Sequence, residues 1–268
     1  RSSPLPGDIN MALDEVLLNS VAAGRSFPVF RLYRWSPAAV SLGYLQRGER
    51  QVNIDYCRSR GIDIVRRITG GRAVLHDREV TYAIMAGIHE NGFSKRVIDN
   101  YQRISQVLQR ALERLGLQVS LVSGRSRSLA GEGCQGVCFS SPSSYELIYR
   151  GCKMVGSSQK CRGEVFLQHG SIPVDLDPEV LFSALDTQGL VSPREGGRCL
   201  TEKVGWINRW LDSPVTPEQV EACLLSSFVE VFSAELQELP PTENEWRDAE
   251  TLVRQRYGNP DWTFSGNG

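Results

Sequence analysis

Arg66-Arg67-Ile68-Thr69-Gly70-Gly71-Arg72-Ala73-Val74-Leu75-His76-Asp77 is the most informative stretch of the chain. A strand-like run, Ile62–Arg67, ends on two arginines, breaks at Gly70-Gly71 and resumes as Val74–Leu75. Exposed backbone N–H groups beside cationic side chains suit an anionic ligand or a strongly polarised carbonyl. A Gly-Gly turn alone fits a tight hairpin with solvated arginines equally well. A Walker loop is excluded, because the Gly-Lys-Ser/Thr ending is absent.

Working outward, Ile9, Leu13, Val16, Leu17 and Val21 form one apolar stripe, which predicts an opening helix capped by Asp8 and stopped by Gly24. Strands are expected at Val29–Tyr33 and Ala39–Gly43, a short helix at Asn53–Arg60 and another strand at Val80–Ile88. Ile98–Leu115 carries the clearest helical periodicity, and Gly116 lies past its end. After a strand at Leu117–Val122 comes a loop rich in Ser, Arg and Gly, Ser123–Gly136, of a length that is usually either mobile or functional. Tyr145–Tyr149 and Met154–Ser157 predict a hairpin about Arg150-Gly151, with further strands at Val165–Leu167 and Ile172–Val174. Beyond about residue 178 the pattern turns helical, best at Pro217–Leu236 and Glu243–Arg256. Strands early and helices late, without strict βαβ alternation, predict an α+β fold of mixed sheets packed with helices. No internal repeat or low-complexity linker divides residues 1–268, so a single domain is expected.

Composition narrows the classes of function. With 41% hydrophobic residues, 23% charged and net charge −1, the chain reads as a globular protein without the basic excess of a nucleic-acid or membrane binder. No apolar run reaches the length of a membrane span, and the first residues show no signal-peptide pattern, so a cytoplasmic protein is expected. Lysine occurs only at 95, 153, 160 and 203. The seven cysteines, Cys57, Cys134, Cys138, Cys152, Cys161, Cys199 and Cys223, are odd in number, which argues against a disulfide framework. Most are expected to be reduced and buried. Cys134 and Cys138 lack a second close Cys/His pair, and His76, His89 and His169 are scattered, so no metal is expected.

Two further segments carry chemistry. In Gly136-Val-Cys-Phe-Ser-Ser-Pro-Ser-Ser-Tyr-Glu-Leu147, Cys138 lies between the long loop and a strand. A thiolate there is a good nucleophile if a cation lowers its pKa, although a buried thiol is the commoner fate of a cysteine. In Gly151-Cys-Lys-Met-Val-Gly-Ser-Ser-Gln159, followed by Leu167-Gln-His-Gly-Ser-Ile172, Lys153 stands next to small residues that let a ligand approach the backbone. It suits a phosphate clamp, a proton shuttle or a thiolate partner. In an alternating strand Cys152 should face away from it.

Together these segments resemble the biotin/lipoyl protein ligase superfamily, and within it the cysteine-dependent octanoyltransferase branch of lipoate assembly. The likeness runs from Asn10-Met-Ala-Leu-Asp-Glu15 through Arg31-x-Tyr-x-Trp35, Ser41-Leu-Gly-Tyr44, Arg66–His76 and Cys138–Ile172 to Tyr257-Gly-Asn-Pro-Asp-Trp262. It implies a ligase-like catalytic domain in which Arg67, Thr69, Gly70, Gly71, Arg72 and His76 surround the acyl carbonyl. Cys138 is then the nucleophile and Lys153 its partner. The implied reaction moves octanoyl from acyl-carrier protein to a lipoyl-domain lysine, as on the glycine cleavage H protein, through an acyl-Cys intermediate. No cofactor is needed, because the thioester is already activated, and a monomer is expected. Arg72 stands where many ligases carry a third glycine, which crowds a nucleotide. The alternatives are an ATP-dependent lipoate–protein ligase, an amidotransferase between lipoyl-domain proteins, and a non-catalytic acyl-sensing or scaffold subunit.

Overall fold

A computed structural model describes residues 1–90, 92–123, 145–186 and 188–266. In chain order the elements are α1 (Gly7–Ala22), β1 (Val29–Tyr33), β2 (Ala39–Leu42), α2 (Ile54–Ser59), β3 (Asp63–Arg66), β4 (Val74–His76), β5 (Glu79–Gly87), α3 (Val97–Arg114) and β6 (Ser120–Ser123). The second half holds β7 (Tyr145–Tyr149), β8 (Cys152–Lys153), β9 (Gly156–Arg162), β10 (Val165–Pro173), α4 (Pro178–Leu185), α5 (Pro193–Thr201), α6 (Pro217–Phe232), α7 (Glu243–Leu252) and α8 (Pro260–Ser265). The mixed α+β architecture matches the pattern in the sequence.

Among the described residues the strands form three sheets, ordered β1-β5-β10-β9, β3-β2-β4 and β6-β7-β8. The first is antiparallel throughout, and its central strand β10 is buried at all nine positions. Its two faces meet different partners because strand side chains alternate. Tyr82, Ile84 and Ala86 of β5 join Ile104, Leu108, Val220 and Leu224 of α3 and α6. Ala83 and Met85 turn the other way, onto Leu13, Leu17 and Leu18 of α1. Thus α1 is buried along nearly its whole length, and no single polar stripe survives on it. Four later helices begin with a proline in the first turn behind Asp177, Ser192, Thr216 or Asn259, each side chain accepting an amide of the new turn.

Four local expectations are corrected. Asp8 lies inside the first turn of α1, behind Pro6 at the cap position, where its charge favours the helix dipole. Met154–Ser157 is not one strand. The Lys153 amide donates to the Lys203 carbonyl and the Gly205 amide to the Lys153 carbonyl, so the chain leaves β8 there and β9 joins another sheet. The apparent break at Gln168–Ser171 is absent, because β10 runs through it with those polar residues buried and hydrogen-bonded. Gly170 permits this, since a Cβ there would lie 2.6 Å from both the Gly156 carbonyl oxygen and Tyr82. Finally, α7 gives way at Val253–Tyr257 to a π-helical turn that aims Arg256 and Tyr257 at Glu15. No helix among the described residues is long and apolar enough to cross a membrane. Of the four free thiols there, Cys57 and Cys152 are buried, Cys223 is half-buried and Cys161 exposed.

Candidate functional site

The three sheets converge on a cavity of about 310 Å³. Its wall takes Tyr33 from β1, Ser41 from β2, His76 from β4, Thr81 from β5, Lys153 from β8, Ser157 and Ser158 from β9, and His169 and Ser171 from β10. The loop between β3 and β4 closes one side with Arg67, Gly71 and Arg72, and Met11, Trp35 and Val74 supply apolar surface.

That loop has its shape for identifiable reasons. Arg67 donates from Nη1 to the Ser41 carbonyl at 2.8 Å and from Nη2 to the carbonyls of Gly70 and Arg72, each at 2.7 Å. One guanidinium therefore ties the Gly-Gly turn to β2 and holds its charge at the cavity wall. Ser158 Oγ donates to the Gly70 carbonyl from the opposite sheet at 2.9 Å. Gly71 has φ +89°, and a Cβ on Gly43 would fall 2.0 Å from the Gly71 carbonyl oxygen, so both positions need glycine.

Of the residues expected at the site, Arg67, Gly71, Arg72, His76 and Lys153 all line the cavity. Thr69 and Gly70 stand behind its wall. The Thr69 hydroxyl bonds His169 Nε2 at 2.7 Å, and Gly70 serves through its carbonyl. Cys138 and Cys134 fall outside the described residues. Arg66, next to Arg67, points away from the cavity and is fully buried. Its guanidinium donates to the carbonyls of Gly43, Tyr44, Trp262, Thr263 and Phe264, which clamps α8 to β3. Lys153 lies on the cavity side of β8, its Nζ 2.8 Å from Glu146 Oε1 on β7. As alternation requires, Cys152 turns the other way, against the Thr201 carbonyl.

Two buried polar networks flank the wall, and the sequence reading missed both. In the first, Asp14 accepts from Arg31 Nη1 at 2.7 Å, Tyr33 Oη at 2.9 Å and His169 Nδ1 at 2.9 Å. Burial alone would raise the Asp14 carboxyl, but the His169 hydrogen bond and the Arg31 charge outweigh it and hold the pKa below its ordinary value. Burial lowers His169, which the Asp14 contact only partly opposes. In the second, His76 Nε2 meets Ser41 Oγ at 2.7 Å and His76 Nδ1 meets Glu79 Oε1 at 2.8 Å. Glu79 also accepts the hydroxyls of Thr81 and Ser171, and Trp35 stacks on the His76 ring at 4.1 Å. Two of the three histidines scattered in sequence, His76 and His169, thus share one cavity, while His89 is exposed beside Glu164. The signal available was polarity inside an otherwise strand-like run, at Gln168–Ser171 and at Ser41.

The family described as the lipoyl protein ligase A/B catalytic domain matches residues 6–229. Octanoyltransferase LipM of Kyrpidia tusciae is 38% identical over 259 residues, covering 95% of this chain and 93% of that relative. Octanoyltransferase LipM of Staphylococcus aureus is 35% identical over 258 residues, with 95% and 93% covered. Among solved structures, a bipartite lipoate protein ligase of Thermoplasma acidophilum superposes with a TM-score of 0.79 at 22% identity, over 100% of this chain and 98% of that one. A lipoate-protein ligase A bound with ATP gives 0.78 at 22% identity, over 98% and 99%. These two likenesses establish the fold.

Proposed function

The chain belongs to the lipoyl protein ligase A/B catalytic domain family, and from that premise we propose that it is a protein N-octanoyltransferase of lipoate assembly, working in the cytoplasm. It takes octanoyl from the thioester of acyl-carrier protein and passes it to the target lysine of a lipoyl-domain protein, such as the glycine cleavage H protein. The observation that carries this reading is the similarity to octanoyltransferases at 35–38% identity across nearly the whole of both chains.

The cavity supports it. Met11, Trp35 and Val74 offer apolar surface to an alkyl tail, while Arg67, Arg72 and Lys153 bring positive charge to the lining. In the proposed reaction the Cys138 thiolate attacks the carrier thioester and the carrier thiolate leaves, giving an octanoyl-enzyme. The cations at the wall stabilise the oxyanion formed on the way. The Lys153 ammonium favours the thiolate over the thiol. The acceptor lysine then displaces sulfur and forms an amide. The donor arrives activated, so the chemistry requires no ATP.

Intact-mass measurement tests this directly. Octanoyl-acyl-carrier protein without ATP should add one octanoyl group to the enzyme, and an apo lipoyl-domain protein should remove it. A lipoate–protein ligase would instead need free lipoate or octanoate with ATP, and an amidotransferase would load only from an octanoylated lipoyl domain. Either result would overturn the proposal.

A further inference from the structure

Protons distinguish the two halves of the proposed reaction. In the first, one thiolate replaces another on the carbonyl carbon and no new proton acceptor is needed. In the second, a lysine ammonium becomes a secondary amide. Its nitrogen forms the N–C bond, the C–S bond breaks with its electron pair going to sulfur, and the nitrogen sheds two protons. Sulfur can take at most one of them. At least one must pass to a base other than that sulfur, and the Lys153 side chain is engaged by Glu146 at 2.8 Å.

Two histidines line the cavity, and their outer partners separate them. His169 is bound by Asp14 on one nitrogen and on the other by Thr69, whose side chain lies behind the wall, so its chain of hydrogen bonds leads away from the substrate. His76 is bound by Glu79 on Nδ1 and by Ser41 on Nε2, and Ser41 does face the cavity. Resting on this proposed function, we infer that Ser41, His76 and Glu79 form the relay that takes the proton from the attacking lysine. The Ser41 hydroxyl accepts a proton from the substrate nitrogen as it gives its own to His76 Nε2, and the Glu79 carboxylate balances the imidazolium. The geometry is that of a hydroxyl activated through a base held by a third group. Thr81 and Ser171 pin the carboxylate, Trp35 fixes the ring plane, and Arg67 Nη1 donates to Ser41 Oγ at 3.0 Å, orienting its hydrogen toward His76.

The test uses the full chain, loaded with octanoyl from acyl-carrier protein and freed of excess donor. Loss of the acyl mass is followed in single turnovers with two nucleophiles, an apo lipoyl-domain protein and hydroxylamine. The lysine arrives protonated at neutral pH, whereas hydroxylamine arrives neutral and depends little on a base. In Glu79→Gln, transfer to the lipoyl domain should slow by about 100-fold while reaction with hydroxylamine stays within about threefold of wild type. The loss should fall on the maximal rate and leave the half-saturating acceptor concentration unchanged. Ser41→Ala should repeat the pattern and serves if Glu79→Gln does not fold. Equal slowing with both nucleophiles means a merely structural role and overturns the relay, as does undiminished transfer to the lysine. If wild-type protein acquires no octanoyl mass at all, the proposed function itself fails and takes the relay with it.

Discussion

Lys153 Nζ lies 2.8 Å from Glu146 Oε1 across the β7–β8 hairpin, each side chain only 11% exposed. The register pairs Lys153 with Ile148, which puts Glu146 at the diagonal position on the same face. The Arg150-Gly151 turn, with φ 48° and 80°, is the two-residue type that sets this register. A pair this far from water is held by the fold, so its two partners can be separated by mutation. Lys153→Met should reduce acyl-enzyme formation by about 100-fold and cost about 1–3 kcal/mol of stability, since Glu146 loses its ammonium. Adding Glu146→Gln should restore most of the stability and none of the activity, as read by urea unfolding and intact mass.

Cys138→Ser should abolish the octanoyl adduct, because an unactivated hydroxyl is a far poorer nucleophile than a thiolate. Serine at Cys57, Cys134, Cys152 or Cys161 should leave it intact. Cys57 is the clearest control, as burial pushes its thiol up to about 11 and suppresses the thiolate at neutral pH. A stable octanoyl mass on Cys138→Ser would refute the assignment of the nucleophile.

Stability should fall on acidification. His169 in the folded protein lies below its ordinary value of 6.5 and Asp14 below its ordinary value of 3.8, so the unfolded chain binds more protons in both ranges. Both contributions are complete above pH 6.5; the His169 part fades as pH drops below that value, and the Asp14 part below 3.8. Urea midpoints should therefore be lower at pH 5.5 than at pH 7.5, and His169→Gln should flatten that difference.

Arg66→Lys should destabilise the protein by about 2–4 kcal/mol, because three donors on an ammonium cannot serve the carbonyls that the guanidinium fork reaches. Fluorescence of Trp262, which Arg66 holds through its carbonyl, should report early loosening of α8 during unfolding. Arg67→Lys should instead depress acyl transfer, since Arg67 faces the cavity. If both variants lose stability and activity alike, the division between the two arginines is wrong.

That division marks the reach of local patterning. Arg66 and Arg67 are adjacent, chemically identical and on opposite faces, and a shift of one residue in strand parity would exchange their roles. For Cys152 and Lys153 the same parity was readable, because small residues beside the lysine signalled which side a ligand approaches. The helix at Val97–Arg114 and the turn at Arg150-Gly151 were equally legible, since a repeating apolar face and a left-handed turn are properties of neighbouring residues.

The sequence alone determined the mixed α+β class and most elements to within a few residues, and its likeness to a known family singled out Arg67, Gly71, Arg72, His76 and Lys153, which line one cavity. Only the tertiary structure decided that Thr69 and Gly70 stand behind the wall, that Asp14 and His169 meet across 155 residues, and that Ser41, His76 and Glu79 form a chain. Periodicity states which face of an element is buried but not which other element buries it. A polar residue inside an apolar run shows where its hydrogen bond goes only when the sheets that share the cavity are in place.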